Sequence, residues 1–164
     1  MQKSRPITPD KHGNINMPET RIELDQQMLE EIHSHAVSTY PEECCGLMFG
    51  NSTGNGVSKK VLRLRRMKNT FEPSERYHRY TIDPREFLKA EKQAEESREE
   101  IVGIYHSHPN ALAKPSEFDR AHAWPTLSYV VVEVRGSKVI ETKSWILKDD
   151  RTEFLPEKLQ IVVK

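Results

Sequence analysis

A short apolar run, Ile101-Val102-Gly103-Ile104-Tyr105, leads directly into His106-Ser107-His108-Pro109, and this junction constrains the chain more than any other stretch. Its β-branched and aromatic content reads as a buried strand. If the extended conformation continues, His106 and His108 stand at i and i+2 and point to the same side. Pro109 then ends the strand. After a polar loop, Ser116 follows Pro115 and precedes Glu117-Phe118-Asp119-Arg120-Ala121-His122-Ala123-Trp124, a helix pattern with Ser116 as N-cap. Ser116 and Asp119, three residues apart, share a face of its first turn. Two imidazoles and a carboxylate leave a fourth position open, the ligand count of a catalytic zinc site rather than a closed structural one.

The rest of the chain supplies a frame for that junction. Residues 1–20 carry Pro6, Pro9, Pro18 and Gly13 and read as an extended arm; residues 21–164 read as the single folded domain. Arg21 to Leu24 alternates as a short strand. Asp25 is the expected N-cap of a helix to about Thr39, with Met28, Leu29, Ile32 and Ala36 as its apolar face, stopped by Tyr40-Pro41. Glu42 to Gly50 has a strand pattern, Asn51 to Gly56 a turn, and Val57 to Arg66 a returning strand. Tyr77 to Ile82 is predicted as a strand. Asp83-Pro84-Arg85-Glu86 is a strong helix start, and that helix runs to about Glu100. Tyr129 to Val134 and Lys138 to Leu147 make a hairpin around Arg135-Gly136-Ser137, and Leu155 to Val163 is a weaker final strand. Hairpins outnumber crossovers, so the expected class is α/β with a mixed, largely antiparallel sheet flanked by helices.

Composition narrows what such a domain does. Lys+Arg and Asp+Glu are both 25, a formal net charge of zero, which argues against a nucleic-acid binder. No apolar run approaches the roughly 20 residues that cross a bilayer. Met1 to Pro9 lacks the apolar core of a secretory signal, so a cytoplasmic protein without a membrane partner is expected. Cys44 and Cys45 are adjacent; a disulfide between neighbours closes no useful loop, and they read as small buried residues beside Gly46. Lys59, Lys60, Arg63, Arg65, Arg66 and Lys68 form a basic run, read first as a solvated strand face and second as a docking surface for an acidic partner.

The pattern His106, His108, Ser116, Asp119 resembles the signature of the JAMM (MPN+) metalloprotease family, His-x-His, seven residues, Ser, two residues, Asp. That family also places a glutamate upstream, on the segment entering its first central strand, and Glu43-Cys44-Cys45-Gly46-Leu47-Met48 fits that register. The resemblance extends from about Leu24 to Leu147 and is nearest to the short prokaryotic branch that handles ubiquitin-like or sulfur-carrier proteins. It implies a cytidine-deaminase-like core and a Zn²⁺ held by His106, His108 and Asp119. It further implies Glu43 as general base and Ser116 as donor to the oxyanion. The implied reaction is hydrolysis, by metal-activated water, of the amide bond after the C-terminal Gly-Gly of a ubiquitin-like or sulfur-carrier protein. Fe²⁺ or Co²⁺ suits the same ligands. The alternatives are a catalytically silent scaffold of the same fold and a DNA-associated relative; a homodimer is left open.

The chain contains its own control. His33-Ser34-His35 repeats the tripeptide inside the first predicted helix, where residues two apart stand about 200° apart around the axis and cannot share a metal.

Overall fold

The computed structural model describes residues 19–163 together with a two-stranded antiparallel pairing of β1 (Thr8–Pro9) with β2 (Ile15–Asn16). Apart from that pairing and residues 19 and 20, the expected arm lies outside the described residues. Seven strands close into one barrel: β3 (Arg21–Asp25), β4 (Cys45–Thr53), β5 (Ser58–Met67), β6 (Glu100–Pro109), β7 (Ser128–Arg135), β8 (Lys138–Leu147) and β9 (Phe154–Val162). They are ordered β3-β5-β4-β6-β7-β8-β9. The expected mixed α/β class is correct, with four antiparallel pairings and three parallel ones. Closure was not legible in the sequence. It depends on the five residues of β3, which pair in parallel with β5 on one side and β9 on the other. Such closure covers the sheet edges only over the paired stretches: β5 meets β3 at Ser58 to Lys60 and pairs with β4 alone beyond that.

Three helices attach to this barrel as their caps dictate. Asp25 caps α1 (Gln26–Thr39) by accepting from the Met28 N–H, and Asp83 caps α2 (Pro84–Glu96) by accepting from the Arg85 N–H. The third, α3 (Glu117–His122), is short. Strand alternation divides the interior in two. Met48, Val102 and Tyr105 pack with Ile32 and Ala36 of α1, whereas Leu47, Phe49 and Ile104 pack with Ala90 and Ala94 of α2.

Three local expectations need correction. The predicted strand Tyr77–Ile82 does not form. A 3-10 turn, Pro73–Glu75, opens the segment, and the backbone of Thr81 bonds to Asn69 and Thr70 instead of to a ladder. The strand expected from Glu42 begins only at Cys45 and runs on to Thr53, so the turn falls later. The basic run is only partly a solvated face. Lys59 is buried, donating to the Thr126 carbonyl (3.0 Å) and Ser128 Oγ (2.8 Å), and Arg63 pairs with Glu99 at 3.2 Å while lying over the Phe49 ring.

Candidate active site

The central strand β6 delivers the two histidines. Ile104, His106 and His108 alternate onto the α2 side of the sheet, and Tyr105 and Ser107 face the other way. His106 is fully buried and His108 nearly so. Their Nε2 atoms lie 3.1 Å apart, and Asp119 Oδ2 stands 3.3 Å from the first and 3.1 Å from the second. Asp119 reaches this point because α3 begins with a capping box. Ser116 Oγ accepts from the Asp119 N–H (3.0 Å), and the Ser116 N–H donates to Asp119 Oδ2 (2.8 Å).

The three atoms form a near-equilateral triangle. Tetrahedral ligands at about 2.0–2.1 Å from a zinc ion would be about 3.3 Å from each other, so the donor set fits such a cation in size as well as chemistry. His108 Nδ1 is 2.8 Å from the Leu112 carbonyl. That bond fixes the proton on Nδ1 and turns the lone pair of Nε2 toward the triangle. The His106 ring is stacked on Tyr80, with centroids 4.6 Å apart, which holds its plane.

Glu43 approaches from the segment just before β4. Its carboxylate and the ring nitrogens of His106 and His108 all lie within 4.8 Å of one another, close enough to ligate the same cation or to bond a water held on it. The side chain is buried, and its Oε1 has no hydrogen-bond partner among the described residues. An orphaned carboxylate oxygen beside converging lone pairs is what a bound cation with its water would satisfy.

Electrostatics follow the geometry. Burial pushes the Glu43 carboxyl up to about 8, partly offset by His108 and reinforced by Asp119. Burial opposes the charge of Asp119, yet the two imidazoles outweigh it and hold that carboxyl well below the usual range. For His106, burial prevails and lowers the pKa. For His108, burial is overcome by the hydrogen bond to Asp119 and the charges of Glu43 and Asp119, and the pKa rises.

A cleft of about 800 Å³ runs from Asp119 past Tyr80 and Phe118 and along α2, with Ile104 on its floor and Leu88 and Trp124 at its rim. Of the five predicted site residues, Asp119 is the one that lines the cleft.

All five residues singled out in the sequence meet here: Glu43, His106, His108, Ser116 and Asp119. The control pair does not. His33 Nε2 bonds to Thr142 Oγ1 (2.7 Å), and His35 Nδ1 bonds to Tyr105 Oη (2.8 Å) on the opposite side of the sheet. Sequence reasoning missed three supports. Ser107 Oγ accepts the Cys44 N–H at 2.8 Å, next to Glu43; strand alternation marks its direction but not its partner. Tyr80 and Asn69 carried no spacing signal at all.

Similarity to known proteins extends over most of the chain. Residues 25–148 match the family described as prokaryotic homologs of the JAB domain. The chain is 34% identical over 116 residues to a desampylase of Pyrococcus furiosus, covering 69% of this chain and 72% of that one. It is 31% identical over 140 residues to the CysO-cysteine peptidase of Mycobacterium tuberculosis, covering 85% and 88%. It is also 28% identical over 136 residues to the tail tip assembly protein K of Escherichia phage N15, matching 76% of this chain but only half the length of that protein. Among solved structures, a protein from Desulfitobacterium hafniense superposes with a TM-score of 0.74 at 30% identity, covering 87% of this chain and 94% of the other. With its strand-end histidines, its capped aspartate and this extent of similarity, the chain belongs to the JAB (JAMM) domain family, in its prokaryotic branch.

Proposed function

We propose that this protein is a zinc-dependent peptidase or isopeptidase that cleaves after the C-terminal Gly-Gly of a ubiquitin-like or sulfur-carrier protein. The single observation that carries the reading is the triangle of His106 Nε2, His108 Nε2 and Asp119 Oδ2 with the unpartnered Oε1 of Glu43 beside it. When bound there, a zinc ion supplies a water acidic enough to ionise near neutral pH. His106, His108 and Asp119 would hold the ion, with the Nδ1 bond of His108 keeping its ligand nitrogen unprotonated. Glu43 acts as general base, taking a proton at its free oxygen and returning it to the leaving amine. The Ser116 hydroxyl uses a lone pair for the cap, so its proton is left to donate to the oxyanion.

The substrate class is supported by the relatives named as a desampylase and a CysO-cysteine peptidase. The short connection between α3 and β7, residues 123–127, leaves little room for an insertion gripping a long ubiquitin chain, which favours a small carrier. A silent scaffold has no need of the converged donor set.

The test is incubation of zinc-loaded protein with fusions that end a ubiquitin-fold domain in Gly-Gly-peptide, with products read by mass. Cleavage after the second glycine, abolished by a chelator and restored by zinc, is expected. No cleavage of any such fusion, or cleavage that survives chelation, would overturn the reading.

A further inference from the structure

The loop between β5 and α2 contains no strand, yet it touches both halves of the site. Its base is shut by Thr70, whose N–H and hydroxyl both donate to the Thr81 carbonyl at 2.9 Å. Asn69 commits its whole side-chain amide. Nδ2 donates to the carbonyls of Glu43 (3.1 Å) and Arg79 (3.0 Å), and Oδ1 accepts from the N–H groups of Phe71 (3.1 Å) and Thr81 (3.2 Å). The Glu43 N–H donates to the Arg76 carbonyl of the same loop, at 2.7 Å. Glu43 precedes the first ladder position of β4, Cys45, so no neighbouring strand secures it. Both of its backbone polar groups are held by the loop instead.

On its other side the loop rests on α3. The Phe71 ring meets Phe118 edge-on, centroids 5.5 Å apart, and the Arg79 guanidinium lies 4.5 Å from the Phe118 ring. Phe118 directly precedes Asp119 in sequence.

We propose that Asn69 is a positioning residue for Glu43: by fixing the Glu43 backbone to the loop that braces α3, it sets where the carboxylate stands relative to the His106–His108–Asp119 triangle. This rests on the reading of Glu43 as the base. The residue type is required. A planar amide offers two donors and two acceptor lone pairs, all of them used here, whereas an aspartate could only accept and would face two carbonyls with no proton to give. The Glu43 Oε1 has no partner to orient it, so the placement of the side chain is inherited from its backbone. A displacement of about 1 Å in a catalytic group costs on the order of 100-fold in rate.

Two measurements decide the matter. The first needs neither metal nor substrate: the carbonyl ¹³C resonance of Glu43, which accepts from Asn69 Nδ2, read by NMR on the full chain together with exchange of the Glu43 N–H, which the Arg76 carbonyl of the same loop protects. Asn69→Ala and Asn69→Asp should shift that resonance upfield as its hydrogen bond is lost and speed that exchange, and Thr70→Val, which touches only the loop closure, should do neither. An unmoved resonance in both Asn69 variants, or an equal change in Thr70→Val, overturns the proposal. The second uses the cleavage assay. Both Asn69 variants should lose about 10–100-fold in kcat at unchanged KM and unchanged bound zinc, and Asn69→Ala should add no further loss in a Glu43→Gln background. An additive loss there, or loss of zinc, overturns it. Should Asn69→Ala fail to fold, Asn69→Ser carries the same comparisons. Were the wild type to cleave nothing, the functional reading would fail, while the NMR measurement would still judge Asn69.

Discussion

Glu43 and Asp119 are both buried carboxylates within a few ångströms of two imidazoles, yet the structure gives them different chemistry. Asp119 points one oxygen at both Nε2 atoms and is held ionised. Glu43 keeps an oxygen free and is pushed up to about 8, chiefly by burial. Glu43→Gln removes the proposed proton acceptor without touching the triangle. Zinc stoichiometry by elemental analysis should be unchanged while kcat falls on the order of 10²–10⁴. Asp119→Ala removes a corner, and the purified variant should contain little zinc. Retained stoichiometric metal in Asp119→Ala would show that the ligand set is different, with Glu43 the next candidate.

At the scale of elements, α3 opens on the Ser116 cap, and the proposed oxyanion donor is the same hydroxyl. The Ser116 cap is reciprocal with Asp119, so Ser116→Ala should cost about 1 kcal/mol in thermal unfolding. If the hydroxyl also donates to the oxyanion, kcat should fall on the order of 10²–10³ beyond any stability effect. A variant that unfolds earlier but cleaves normally would restrict Ser116 to capping. The pairing of β4 with β6 brings Gly46 against Tyr105, where an added Cβ would sit 2.2 Å from the ring. Because Tyr105 is buried and bonded to His35, it has no room to retreat. Gly46→Ala should therefore destabilise by roughly 1–3 kcal/mol in denaturant unfolding.

For the whole molecule, one contribution to the pH dependence of stability comes from His35, which is buried beneath the barrel sheet on the side away from the site. Burial, aided by Arg66, lowers its pKa from 6.5 to about 4. The unfolded chain thus takes up a proton at higher pH than the folded one. Stability from this group is full above about pH 6.5, declines as pH falls toward about 4, and is level below. The decline should total about 1–3 kcal/mol. His35→Gln, which has no titrating group, should flatten that part of the curve when unfolding midpoints of the two proteins are compared from pH 7 to 4. An unchanged slope would assign the acid sensitivity to other groups. Among the described residues no helix is long and apolar enough to cross a membrane.

The sequence by itself determined the parts of the site that depend on local periodicity. Period two along β6 aimed His106 and His108 to one side, the S-x-x-D spacing tied Ser116 to Asp119, and the helical period of α1 disqualified His33 and His35. Those rules act within a few residues and are visible in a string of letters. Only the tertiary structure decided the rest. Asn69 lies 26 residues from Glu43 and 10 from Arg79 in sequence, and nothing local marks it as their common donor. The strand expected at Tyr77–Ile82 failed because Asn69 and Thr70 competed for its backbone bonds. Closure of the barrel through β3 and the burial of Lys59 against Thr126 and Ser128 likewise follow from contacts between distant segments. Local rules aim side chains, but long-range packing decides which backbone groups are still free to meet.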